Sequence, residues 1–156
     1  DVCSSDLNLY TDNCILNSVL NIKYSAAQVA DIKIESNIFV PKYMNIDYGD
    51  MGVLFGNLLD NAIEANQGVD RKKRWINVSV KYEEHILIIN IKNSKIRGSR
   101  RKKKGYLNHG IGLNSVKQIV EKFNGIVEVQ DFGEMYEVSA ILYGICDDKD
   151  LGKSVL

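Results

Sequence analysis

Asn57, Asp60, Asn61 and Glu64 recur at i, i+3, i+4 and i+7 within Asn57-Leu58-Leu59-Asp60-Asn61-Ala62-Ile63-Glu64-Ala65. Nothing in this stretch breaks a helix, and on a helix that spacing lines four polar side chains along one stripe. Met51, Leu54, Phe55, Leu58, Leu59, Ala62 and Ile63 take the other faces. A solvated helix normally shows charges of both signs, whereas this stripe offers amides and carboxylates alone. Their oxygens suit a hard cation such as Mg²⁺ and a polyphosphate carried on it.

Farther along, His109-Gly110-Ile111-Gly112-Leu113 is predicted to open a second amphipathic helix, with Val116, Ile119, Val120 and Phe123 on its apolar face. Glycines just ahead of a helix let the backbone approach a ligand closely. The N–H groups left free at the helix start, and the positive end of its dipole, then favour phosphate. Gly-x-Gly-Leu alone is a weak signal. Following an Asn-x-x-x-Asn helix in this order and at this separation, it is a strong one.

These residues resemble a family. Asn57-x-x-x-Asn61 is similar to the N box, and Gly110-x-Gly112-Leu113 to the G2 box, of the ATP-binding domain shared by sensor histidine kinases, gyrase-type ATPases, Hsp90 and MutL. Gly56-Asn57-Leu58-Leu59-Asp60-Asn61-Ala62-Ile63-Glu64-Ala65 and His109-Gly110-Ile111-Gly112-Leu113 resemble most the histidine kinases that sense peptide pheromones in Gram-positive bacteria (the quorum-sensing group). The likeness runs from about Leu9 to Tyr143.

The resemblance implies ATP and Mg²⁺ as cofactors. It makes Asn61 the magnesium ligand, with a bland alternative as a polar helix residue capping a nearby turn. Asn57 stands where hydrolysing members carry a glutamate that activates water. An amide cannot act as a general base, so phosphoryl transfer is implied rather than hydrolysis, or else Asn57 makes a supporting hydrogen bond only. Gly110 and Gly112 would present backbone N–H groups to the phosphates, with Leu113 packed beneath. His109 would lie near phosphate or ribose, or simply be solvated, and His85 is read as structural. Glu64 reads equally as a functional carboxylate and as a solvated one. Asn93, in Ile91-Lys92-Asn93-Ser94, stands where the family usually has Asp-x-Gly-x-Gly, whose aspartate accepts from the adenine amino group. An amide oxygen can also accept, more weakly than a carboxylate; the plain alternative is a residue that ends a strand. No catalytic nucleophile is expected, and the phosphoacceptor histidine is absent, since His85 and His109 lie in the wrong elements.

The implied activity is therefore that of the catalytic domain of a two-component histidine kinase. It would donate the γ-phosphoryl group of ATP to a histidine on a separate dimerisation domain, with a response regulator downstream. The domain would be cytoplasmic, in a membrane-bound homodimeric parent, and would turn over little nucleotide alone. Two other readings stay open: a signalling scaffold with weakened nucleotide binding, and a serine protein kinase of the anti-sigma-factor type.

The elements that must position these residues follow from pattern. A helix is predicted over residues 12–30 from Ile15, Leu16, Val19, Leu20 and Ile22, and a strand over 31–40 that Pro41 closes. Asp47 is a candidate N-cap for the asparagine helix, which should end near Gly68. Trp75–Tyr82 and His85–Lys92 alternate as a hairpin around Glu83-Glu84, after a basic turn at Asp70–Arg74. Residues 94–108 are polar and basic and predict a mobile loop. Its run Arg100-Arg101-Lys102-Lys103-Lys104, with Arg97, reads as a solvated lid, a contact to triphosphate or a contact to partner helices. A helix over 112–123 stops at Asn124-Gly125, and a hairpin of 126–130 and 134–142 closes around Asp131-Phe132-Gly133. The order α, β, α, β, β, loop, α, β, β predicts an α/β (α+β) two-layer sandwich, a mixed and mostly antiparallel sheet with three helices on one face. The resemblance independently implies that architecture, the Bergerat type of ATP-binding fold.

Composition sets the outer bounds. The chain has 156 residues, 45% hydrophobic, one proline and a net charge of zero. That suits one domain with a real core and gives no global attraction to nucleic acid. The basic run is short and lacks interleaved aromatics, so no nucleic-acid partner is expected. No apolar run approaches a membrane span. Cys3, Cys14 and Cys146 show neither metal-ligand spacing nor a disulfide framework, which suggests a reducing compartment. The chain opens without methionine, as a fragment would. Val2-Cys3-Ser4-Ser5-Asp6-Leu7 resembles the translation of a sequencing-adapter oligonucleotide. Residues 1–7 are therefore expected to be non-native, 8–143 to form the domain, and 144–156 to be a flexible tail.

Overall fold

The computed structural model describes residues 7–98 and 103–151, with 103–111 and 150–151 as backbone only. Its elements are α1 (Cys14–Val29), β1 (Lys33–Phe39), α2 (Tyr48–Ala65), a 3₁₀ turn (Arg71–Lys73), β2 (Trp75–Glu83), β3 (Ile86–Ser94), α3 (Lys103–Lys122), β4 (Ile126–Asp131), β5 (Met135–Leu142) and the single turn α4 (Asp148–Leu151). The five strands form one open sheet in the order β1-β2-β3-β5-β4. β1 runs parallel to β2, with Lys33 opposite Trp75, and every other pairing is antiparallel. Three helices on a mixed, mostly antiparallel sheet is the architecture expected from the pattern.

Alternation decides which face the helices cover. Ile76, Val78 and Val80 of β2, Leu87, Ile89 and Ile91 of β3, and Val138, Ala140 and Leu142 of β5 are all buried on one side. α2 lies over β3, flanked by α1 and α3. It supplies Met51, Leu54, Phe55, Leu58, Leu59 and Ala62 to the same core. Burying each such large apolar side chain stabilises the fold by about 1.5–3 kcal/mol. The other sheet face keeps polar residues such as Asn77, Ser79 and Asn90, the last donating to Ser139 Oγ at 2.9 Å.

Local signals set the helix ends. Asn13 caps α1 by accepting from Leu16 N at 3.1 Å. Asp47 caps α2 by accepting from Gly49 N at 2.8 Å and Asp50 N at 3.3 Å. α1 docks on β1 through Tyr24, whose hydroxyl shares a 2.7 Å hydrogen bond with Ser36, and burial pushes that phenol up to about 12. Before α1, residues 8–10 lie along the helix: Asn17 and Asn21 donate to Asn8 O at 3.0 and 2.9 Å, and Tyr10 N donates to Asn17 Oδ1 at 2.8 Å.

Three features differ from the sequence expectations. First, residues 103–108, expected in a loop, are the first turns of α3. Polarity does not oppose a helix when the polar residues include lysine, a good helix former. Positions 99–102, with Arg100, Arg101 and Lys102 of the basic run, lie outside the described residues. Second, the chain stays packed beyond Tyr143. Ile145 is fully buried, its N–H donates to His85 O at 2.9 Å, and its carbonyl accepts from Tyr82 Oη at 3.0 Å. Asn45 and Cys146 then exchange bonds, Cys146 N donating to Asn45 Oδ1 at 2.8 Å. Third, Cys14 is disulfide-bonded while Cys146 is free. A single bridge needs no framework spacing, so the sequence carries no signal for it.

Candidate functional site

α2 and α3 run antiparallel and are tied at one end by Lys122 Nζ, 2.8 Å from Asp50 Oδ2. That pairing sets Asn57 and Asn61 of α2 against Gly112 of α3. Asn57 Nδ2 lies 3.5 Å from Gly112 O, a long hydrogen bond. A Cβ placed on Gly112 would sit 3.8 Å from Asn61 Oδ1 and 3.9 Å from Asn57 Cγ. The two motifs, 55 residues apart between Asn57 and Gly112, therefore share one surface. Both asparagines are half-buried, as is Leu113.

The polar stripe of α2 is not a single convergent site. Asp60 turns to α1, where Lys23 Nζ is 2.8 Å from its Oδ1. Glu64 is exposed. Asn57 and Asn61 are the members of the stripe that lie against Gly112 of α3, and they give the candidate site two neutral oxygen donors. That set fits magnesium, which takes few protein ligands and keeps much of its water.

Gly110 and Gly112 correct a second expectation. They lie inside α3, with helix on both sides, rather than ahead of it. At such depth an N–H is bonded to the carbonyl four residues back and is not free for phosphate. What Gly112 contributes in this conformation is space: it brings the α3 backbone close to both asparagines. His109 and Gly110 belong to the same helical backbone, and their surroundings lie outside the described residues.

Asn93 ends β3 on the core-facing side, in line with Leu87, Ile89 and Ile91, and is 2% exposed. Ile76 and Tyr136 are its neighbours across the strands. Its Nδ2 donates to Ser94 O at 3.0 Å, and no donor among the described residues bonds its Oδ1. An acceptor thus stands at the end of β3 on the helix-covered face of the sheet, in line with apolar side chains.

Two buried residues that the pattern does not single out support Asn93. Ser94 Oγ donates to Asn66 Oδ1, just past α2, and accepts from Trp75 N at 3.0 Å. Asn66 Nδ2 donates to Ala62 O at 2.9 Å. Asn66 and Ser94 are 1% and 5% exposed, so these bonds are shielded from water. Their one sequence signal is position: each follows a motif element directly and is a small polar residue where the chain leaves regular structure.

The segment after Ser94 is anchored as well. Lys95 Nζ bonds Asp131 Oδ2 at 2.6 Å, and Lys95 N donates to Glu134 O at 2.9 Å. The Lys95 ammonium, with Gly133 N–H second, holds the Asp131 carboxyl below its usual range. Ile96 packs on Gly68, where an added Cβ would come within 2.7 Å of its Cδ1. The basic turn after α2 is a separate feature. Arg74 is spent on the carbonyls of Val69 and Ala30, at 2.8 and 2.7 Å, and Arg71 pairs with Asp31 at 3.3 Å.

Comparison with known proteins bears on the family and the fold. A Bacillus subtilis (strain 168) protein described as "Probable C4-dicarboxylate sensor kinase" is 32% identical over 95 residues, covering 54% of this chain and 18% of that protein. This chain thus spans less than a fifth of that relative's length. The catalytic domain of the histidine kinase ThkA, in a nucleotide-free form, superposes with a TM-score of 0.61 at 15% identity, covering 83% of this chain and 90% of that one. The Acinetobacter baumannii histidine kinase AdeS gives 0.60 at 16% identity, covering 83% and 63%. At such identities these two likenesses show the fold, which is that of histidine kinase catalytic domains. The profile described as "GHKL domain" matches residues 46–142, from the approach to α2 to the end of β5, and the chain belongs to that family.

Proposed function

We propose that this chain is the ATP-binding catalytic domain of a sensor histidine kinase, of the group that responds to peptide pheromones. The observation that supports it most is the packing of Gly112 against Asn57 and Asn61, two motifs far apart in sequence that form one surface. In this reading Asn61 supplies the protein oxygen to magnesium, and Asn57 orients the phosphates beside it. Magnesium, when bound, neutralises phosphate charge. Asn93 accepts from the base, and Leu113 supports the phosphate side. With no general base at position 57, the site favours holding ATP for transfer over hydrolysing it. The acceptor is a histidine on a partner dimerisation domain, and a response regulator takes the phosphoryl group onward. The parent is a membrane-bound dimer with this domain in the cytoplasm; no helix among the described residues is itself long and apolar enough to cross a membrane.

α3 also has a part in this reading. Gly105, Gly110 and Gly112 lie in its first half, and each costs about 1 kcal/mol relative to alanine in a helix interior. Lys103 and Lys104 add positive charge at the positive end of the dipole, which is also unfavourable. The first half of α3 is therefore its cheapest part to unwind, and unwinding frees the N–H groups of Gly110 and Gly112 for phosphate.

One observation favours a second reading, a scaffold that binds nucleotide weakly: position 93 carries an amide in place of a carboxylate. Calorimetric titration with ATP, with and without Mg²⁺, separates the two. Magnesium-dependent binding is expected, followed by phosphoryl transfer once a histidine-bearing dimerisation domain is supplied. A folded protein that ignores millimolar ATP defeats the kinase reading.

A further inference from the structure

A carboxylate offers an acceptor whichever way it turns, but an amide has an acceptor at one end and a donor at the other. An amide free to flip at position 93 could accept from a 6-amino purine or donate to a 6-oxo purine, and would discriminate poorly. Asn93 is not free in this way. Its side chain is buried, and one end lies 3.0 Å from the Ser94 carbonyl. A carbonyl only accepts, so that end must be Nδ2, which turns Oδ1 away from Ser94 and leaves it as the end able to meet a ligand.

Ser94, which supplies that carbonyl, is itself held through its hydroxyl. The Ser94 hydroxyl donates to Asn66 Oδ1 and accepts from Trp75 N at 3.0 Å, while Asn66 Nδ2 donates to Ala62 O at 2.9 Å and to Trp75 O at 3.3 Å. These bonds join the end of α2, the start of β2 and the end of β3. We propose that Asn66 and Ser94 are specificity-determining positioning residues, which lock the Asn93 amide with its oxygen toward the ligand so that the site selects 6-amino over 6-oxo purine nucleotides. The proposal rests on the nucleotide-binding reading above and adds the means of discrimination.

The test is titration of the folded protein with ATP and with inosine triphosphate, which differ at the group Asn93 would read. The wild type should prefer ATP by about tenfold or more, the worth of one matched against one mismatched hydrogen bond. Ser94→Ala should bring the ratio within about threefold by loosening the amide, whereas Ser94→Thr, which keeps the hydroxyl, should preserve it. Adding Asn93→Asp to Ser94→Ala should restore the preference, because a carboxylate needs no orienting. Equal wild-type affinity for both nucleotides overturns the lock, as does an unchanged ratio in folded Ser94→Ala. An equal loss of both affinities in Ser94→Ala assigns Ser94 a structural role and also overturns it. Should Ser94→Ala fail to fold, the wild-type comparison decides alone. A folded wild type that binds neither nucleotide defeats the nucleotide reading itself, a result distinct from failure of the lock.

Discussion

Gly112→Ala should raise stability and lower nucleotide affinity. Gly112 lies in the interior of α3, with helical backbone on both sides. A methyl group there would meet Asn61 Oδ1 at 3.8 Å and Asn57 Cγ and Cβ at 3.9 and 4.0 Å, all ordinary van der Waals distances. Nothing must move to admit it. The substitution should thus yield the usual helix-interior gain of alanine over glycine, about 1 kcal/mol. For a chain of this size that is a rise in Tm of about 2–4 °C. The same methyl would occupy the space between the two amides and the α3 backbone. If phosphate and its cation sit there, affinity for Mg-ATP should fall about tenfold or more, a cost of about 1.4 kcal/mol. Thermal melting without nucleotide reads the first effect, and calorimetric titration reads the second. A lower Tm would refute the packing argument, because the methyl would then meet something tighter than these contacts. A raised Tm with unchanged Mg-ATP affinity would refute the assignment of that space to phosphate.

Asn61→Ala should abolish magnesium-dependent ATP binding while Tm stays within about 3 °C of wild type, since alanine suits a helix; normal Mg-ATP binding by calorimetry would remove Asn61 from the site. Gly125→Ala should act on the fold instead: the new Cβ would fall 2.0 Å from the Ile141 carbonyl oxygen and 2.7 Å from Val120 Cγ1, and backbone cannot easily yield. Overpacking of this kind costs about 1–3 kcal/mol, so a Tm lower by several degrees is expected, and an unshifted melt would contradict it. Asp131→Asn tests the anchor after β3. The Lys95 ammonium lowers the folded-state carboxyl, so its stabilisation is full above the unfolded value of about 3.9 and is lost as pH falls through the lower folded value. Because the Asp131 side chain is 54% exposed, the effect should be under about 1 kcal/mol and shrink in salt. A Tm difference between wild type and variant that persists at acid pH would show that the pair is not its source.

The parts of the fold legible in sequence are those where one local rule acts alone. The 47–65 helix carries a capping aspartate and an unbroken apolar face, and both appear where expected. β2 and β3 alternate cleanly, so their core faces follow from period two. The hairpin turn between them was less legible in detail: Glu84 and His85 take φ of 48° and 68°, a conformation that sequence normally signals with Asn or Gly. The docking of Ile145 was illegible for another reason. A single apolar residue beyond the last strand has no periodicity, and its burial depends on the His85 and Tyr82 groups that meet it from far along the chain.

The site divides in the same way. Asn57 and Asn61 are readable because their spacing on a helix puts them on one face, whatever surrounds them. That Asp60 leaves this face for Lys23 depends on where α1 docks, which the stripe cannot encode. Asn66 and Ser94 are harder still, for each is an ordinary polar residue at the end of an element, and only the fold brings them together. The glycines of α3 are the most instructive difference. In sequence, Gly-x-Gly marks a break ahead of a helix; in the structure the helix runs through it. The two readings are reconciled by cost: three glycines and an unfavourably charged start leave the first half of α3 close to balance between helix and loop. Ligand contacts worth a few kcal/mol would suffice to choose between them. A sequence in balance encodes both states, and the helix is the one that brings Gly112 against Asn57 and Asn61.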